Sequence, residues 1–114
     1  MNLASVADYH RLHGDDYHSD RSREVKYRAI LSLADFEGAD VLDVGCGERR
    51  FDDYLPASAR YTGIDLLEGV NVLDYRTRHG IVVANGILYR LGEVGQVRKL
   101  IRHVWTLAET ALIF

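Results

Sequence analysis

One cysteine, Cys46, stands among the 114 residues, so no disulfide can close within the chain and a disulfide-stapled secreted scaffold is excluded. Long apolar runs are absent too: none approaches the roughly 20 residues that cross a bilayer, and no segment has the design of a secretory leader. Charge of one sign is lacking. Lys and Arg number 14 against 17 Asp and Glu, a net −3, too weak a bulk field to recruit nucleic acid or an anionic membrane, so neither is an expected partner. These absences together predict a reducing, cytoplasmic setting. What is present is ordinary: 47% hydrophobic residues, no internal repeats, and a length that suits one domain over residues 1–114 with one core and little left for a separate substrate domain.

Residues 1–18 are polar and without sustained periodicity, and read as an N-terminal arm. Tyr27, Ile30, Leu31 and Ala34 fall at helical spacing behind Ser19 or Asp20 as a cap, predicting an amphipathic helix over about 20–35 that Gly38 ends. The run DVLDV at 40–44 meets Gly45 and Gly47 and reads as a buried strand. A brief helix over 48–55, with Phe51 and Leu55 inward, stops before Pro56. YTGID at 61–65, NVLD at 71–74 and GIVVA at 80–84 follow as strand candidates, and TALIF at 110–114 as a fifth. Between the last two, Val94, Val97, Ile101, Val104, Trp105 and Ala108 mark the apolar side of a helix whose other side carries Arg98, Lys99 and Arg102. Strands alternating with helices predict an α/β domain with a largely parallel sheet covered on both faces. The third candidate strains that scheme, because a parallel crossover takes about a dozen residues and only residues 66–70 precede it.

The segment VLDVGCGERRF carries the chemistry. A strand turns through Gly45 and Gly47 into a helix, and an acid, Asp65, closes the next strand. Glycine at Gly45 permits a tight turn, Gly47 lets the backbone lie against a ligand, and helix amides face its anionic group. A carboxylate after the second strand suits the paired hydroxyls of a ribose. The combination reads as a nucleoside crevice at the carboxyl ends of the strands; the alternative is a purely structural turn with a capping acid.

VLDVGCG closely resembles the first motif of class I S-adenosylmethionine-dependent methyltransferases, YTGID their second-strand motif, and IVVANGILYRL, residues 81–91, their fourth strand and the turn after it. The likeness covers about residues 38–91. It implies a Rossmann-like sheet of about five strands in the order 3-2-1-4-5 with helices on both faces, and S-adenosylmethionine as cofactor. On that resemblance Asp43, Gly45, Cys46 and Gly47 would line the methionine and ribose region, Asp65 would hold the ribose hydroxyls, Leu66 would pack on adenine and Asp74 would meet its amino group. Asn85 and Gly86 would sit beside the sulfonium, and the arm with Tyr9, Tyr17 and His18 would close over the cofactor, His18 serving as base where a small-molecule acceptor must lose a proton.

Two features depart from the family. Arg49 stands in the place of a third glycine, either reshaping the turn or bringing a cation to the cofactor's carboxylate. The family's sixth and seventh strands have no counterpart, which implies either a homodimer through the exposed fifth strand or adjacent helices, or a fragment. The implied activity is methyl transfer to a small-molecule acceptor, and the alternative is a non-catalytic cofactor-binding or scaffold domain. Cys46 reads as a small packing residue rather than a nucleophile, Trp105 as core, and the basic side of the last helix as a solvated face. His10, His13, Asp15, Asp16, His18 and Asp20 match no closed zinc pattern, and no metal site is expected.

Overall fold

A computed structural model of the chain describes residues 20–65, 68–85 and 94–114. Helix α1 (Asp20–Leu31) leads into β1 (Asp40–Val44), β2 (Arg60–Ile64), β3 (His79–Val83), helix α2 (Val94–Leu107) and β4 (Ala108–Ile113). The four strands form one sheet in the order β2-β1-β3-β4, and every pairing is parallel. Val41, Leu42, Val82 and Val83 are buried within the two central strands, which explains why those strands read as unbroken apolar runs.

Two cores sandwich the sheet. On one face α1 contributes Tyr27 and Ile30, and the 3-10 turn Arg50–Tyr54 contributes Phe51, against Val41, Ile81, Val83 and Ile113. On the other α2 lays Leu100, Val104 and Leu107 on Leu42, Val44, Ile64, Val82 and Ala84. The connection from β1 to β2 thus runs over the first face, and those from β2 to β3 and β3 to β4 over the second. The chain changes direction between β1 and β3, and the crevice outside their carboxyl ends is where such sheets hold ligands.

At the opposite end, the first residues of β1 and β3 are joined by polar bonds. His79 Nδ1 lies 3.0 Å from Asp40 Oδ1, and since an ionised carboxylate only accepts, Nδ1 carries the proton. Its Nε2 meets the Tyr75 hydroxyl at 2.7 Å, with the two rings stacked. His103 on α2 reaches the Tyr75 carbonyl at 2.9 Å, tying the helix to the same corner.

The structure corrects two expectations. Residues 72–74 form a 3-10 turn, not a third strand: the Asn71 side chain accepts the Leu73 amide at 3.0 Å, closing a local turn where the connection is too short for a parallel crossover. The order 3-2-1-4-5 accordingly loses its first member and otherwise stands. On α2 the buried stripe is Leu100, Val104 and Leu107, whereas Val94 and Trp105 are 70% and 66% exposed. Trp105 follows Val104 directly and so lies about 100° round the helix from it, off the sheet-facing stripe. Among the described residues no helix is long and apolar enough to cross a membrane.

Candidate functional site

Beyond Val44 the backbone turns through Gly45 at φ 77° and Gly47 at φ 53°, left-handed values that side chains resist. The amides of Gly45 and Cys46 both donate to Ile64 O, at 2.8 and 3.2 Å, carrying the β1–β2 ladder one step into the turn. The Gly47 amide then donates to Asp65 Oδ2 at 2.8 Å. The acid predicted to grip a sugar is therefore also the anchor of the glycine turn. Asp65 is 6% exposed, and as a carboxylate it has about four acceptor positions.

Under the turn, Asp43 is buried and accepts the Tyr61 hydroxyl at 2.7 Å across the strand pair. Burial, and then the neighbouring Asp43 charge, raise the Tyr61 pKa, keeping the phenol a donor at all ordinary pH. Burial likewise pushes the Cys46 thiol up from 9.0 to about 12, reinforced by the charge of Asp43. A protonated, buried thiol is a packing group, which agrees with reading Cys46 as part of the turn and not as a nucleophile. In the folded chain Cys46 is expected to resist iodoacetamide between pH 7 and 9, where a denatured control labels readily; comparable labelling in both states, read by mass spectrometry, contradicts the burial. Because this pKa is raised on folding, its contribution to stability is complete below pH 9 and lost as the pH climbs towards 12.

Gly63 explains how the turn comes so close to β2. A Cβ added there would meet Cys46 Cβ, Cys46 Sγ and Arg49 Nη1, each at 2.9 Å. The arginine end can move aside, but Cys46 Cβ is fixed to the turn. Gly63→Ala is expected to cost about 1–3 kcal/mol by overpacking and to lift the turn off Asp65; an unchanged denaturation midpoint would count against this contact.

Arg49 adopts φ 61° and ψ 26°, the one non-glycine residue with positive φ among those described. That conformation costs an L-residue about 1 kcal/mol or more. Its guanidinium donates through Nε and Nη2 to both Glu68 oxygens, at 3.2 and 2.5 Å, and through Nη2 to Gly63 O at 3.2 Å. The hydrogen bond to Glu68 raises the Arg49 pKa. Of the two readings offered for Arg49, the geometry supports a reshaped turn: the cation is engaged along β2.

Asp43, Gly45, Cys46, Gly47 and Asp65 are thus brought together. Asn85 follows the end of β3, directly after Ala84, whose amide donates to Ile113 O at 2.8 Å. Asp74 is not brought in: it is exposed on the 3-10 turn, one residue before Tyr75, whose ring reaches the amino end of β3, away from the glycine turn. Its expected contact with adenine depended on a strand end that does not form. His18, Leu66 and Gly86, with Tyr9 and Tyr17, lie outside the described residues. Among those described, no group of three or more His, Cys, Asp or Glu is placed to hold a metal ion. Tyr61 and Glu68 were not singled out from the sequence; their roles depend on strand register and on a turn that folds back, which residue types alone do not reveal.

Solved structures share this fold. The N-methyltransferase NodS from Bradyrhizobium japonicum WM9, in complex with S-adenosyl-L-homocysteine, superposes with a TM-score of 0.63 over 83% of this chain and 59% of its own, at 20% identity. Magnesium protoporphyrin IX methyltransferase (ChlM) from Synechocystis PCC 6803, also with S-adenosyl-L-homocysteine bound, gives 0.56 over 95% of this chain and 64% of its own, at 12% identity. The fold is that of class I methyltransferases. This chain spans less than two thirds of the length of either methyltransferase. No protein-family model matches the sequence, and no curated protein matches it.

Proposed function

We propose that the chain binds S-adenosylmethionine and transfers its methyl group to a small-molecule acceptor. The observation that carries this reading is the bond from the Gly47 amide to Asp65, which sets a glycine turn and a buried carboxylate side by side at the carboxyl ends of β1 and β2, next to the switch point of a parallel sheet. Two neighbours of the same fold hold S-adenosyl-L-homocysteine, the methyl-depleted product of that donor. The residues present suit the group. Gly45 and Gly47 leave a Cβ-free wall in conformations that other residues resist, and Asp65 offers an acceptor for paired hydroxyls.

The cofactor supplies a methyl group already activated by its sulfonium, so the chain's part is chiefly to hold the two reactants in line. Asp65 would hold the ribose hydroxyls, the turn from Gly45 to Gly47 would border the cofactor, and Asp43, which accepts the Tyr61 hydroxyl, steadies the strand that enters the turn. Asn85, just beyond β3, would border the reacting end. The roles of Leu66 against adenine, Gly86 beside the sulfur and His18 as base rest on the sequence resemblance. Titration calorimetry with S-adenosylhomocysteine tests the cofactor, with micromolar binding expected. Transfer of a labelled methyl group to a panel of small oxygen, nitrogen and carbon nucleophiles tests the activity. Binding without transfer to any acceptor would leave a cofactor-binding domain, and no binding would remove the reading altogether.

A further inference from the structure

We infer that Arg49 and Glu68 form a positioning clamp that holds the ribose-binding carboxylate in place, an inference that rests on the cofactor reading above. The turn after β1 and the turn after β2 are cross-linked twice. Gly47 bonds to Asp65, and two residues further on Arg49 bonds to Glu68, three beyond Asp65. Arg49 also holds Gly63 O, two residues before Asp65, so one guanidinium grips the chain on both sides of the acid. Inside that grip the Asp65 carbonyl accepts the amides of Glu68 at 3.0 Å and Val70 at 3.2 Å, closing the turn on itself.

Gly63 O is available to Arg49 because of the sheet's alternation. Ile64 O points towards β1, where it takes the Gly45 and Cys46 amides, so Gly63 O points to the outer edge of β2. No strand covers that edge among the described residues. The arginine takes up an edge acceptor and the acid of the following turn together.

The backbone of Arg49 gives the second argument. A left-handed residue that is not glycine persists only where its surroundings hold it, and such residues gather at functional sites. Glycine would fit that backbone without strain, and its side chain could make none of these bonds. Arginine supplies a two-point fork to a carboxylate, a geometry that lysine cannot copy. The position trades conformational ease for a cross-link beside the nucleoside pocket.

Arg49→Gly separates this role from a merely structural one, because it removes the clamp and the backbone strain together. Its melting temperature is expected to stay within a few degrees of wild type, while the dissociation constant for S-adenosylhomocysteine rises about tenfold. Glu68→Ala should weaken binding by a similar factor, and the double variant no further than either single change, as expected for two groups acting as one. Arg49→Lys should recover only part of the loss. Without any ligand, amide exchange followed by NMR should quicken at Gly47, Glu68 and Val70 in both single variants. Exchange at wild-type rates in both, or losses that simply multiply in the double variant, overturns the clamp. Failure of the wild-type protein to bind S-adenosylhomocysteine overturns instead the cofactor reading, and with it the purpose assigned to the clamp, while the exchange data still report whether the cross-link exists.

Discussion

Asp65→Ala is expected to weaken S-adenosylhomocysteine binding by about 100-fold or more. Hydrogen bonds to a charged group contribute about 1.5–3 kcal/mol each, and a ribose held as proposed would present two hydroxyls to this carboxylate, a loss of about 3–6 kcal/mol at 1.4 kcal/mol per tenfold. The substitution also strips the acceptor from the Gly47 amide, now bonded at 2.8 Å, and an orphaned buried donor costs about 1–3 kcal/mol of stability. Both effects should therefore appear together, a weaker ligand and a lower denaturation midpoint. Asp65→Asn keeps one oxygen for Gly47 and should recover most of the stability while restoring only a part of the affinity. Calorimetry and urea titration on the three proteins read the two effects separately. Undiminished affinity in Asp65→Ala would mean that the carboxylate serves the turn alone.

The second large effect is expected from Phe51→Ala. Phe51 is 1% exposed and packs between α1 and the sheet, its ring 5.1 Å from Tyr27 and 6.0 Å from Phe36. Truncating a buried phenylalanine costs about 3–5 kcal/mol, a large share of the roughly 5–15 kcal/mol that holds a domain of this size together. The melting temperature should drop by roughly 10–20 °C. Phe51→Leu, which refills most of the volume, should cost about 1.5 kcal/mol or less. A scanning calorimeter distinguishes the two, and equal melting temperatures for Phe51→Ala and wild type would deny the ring its place as the joint between α1 and the sheet.

Those parts of the fold set by local sequence were legible in it. β1 and β3 announce themselves as apolar runs because both their faces are covered, and Gly45 and Gly47 mark the turn because their backbone angles exclude other residues. The misreadings arose where two local patterns competed. NVLD has the apolar content of a strand, yet Asn71 offers its side chain to the Leu73 amide, and a turn forms before any strand can pair. On α2, Trp105 fits helical spacing from Val94 and Val97, but so does the stripe Leu100, Val104 and Leu107, and only the position of the sheet selects between them. The bonds from Tyr61 to Asp43 and from Arg49 to Glu68 cross 18 and 19 residues. They become visible once β1 and β2 are in register, a property of the folded sheet.

The corner where Asp40, His79 and Tyr75 meet has a consequence for how this scaffold can change. These bonds join β1 and β3 at the end remote from the glycine turn, with α2 attached through His103. Strand alignment at the base is secured without help from the crevice. Loops at the mouth can then be lengthened, shortened or exchanged to suit a new acceptor, while the floor that carries them keeps its alignment.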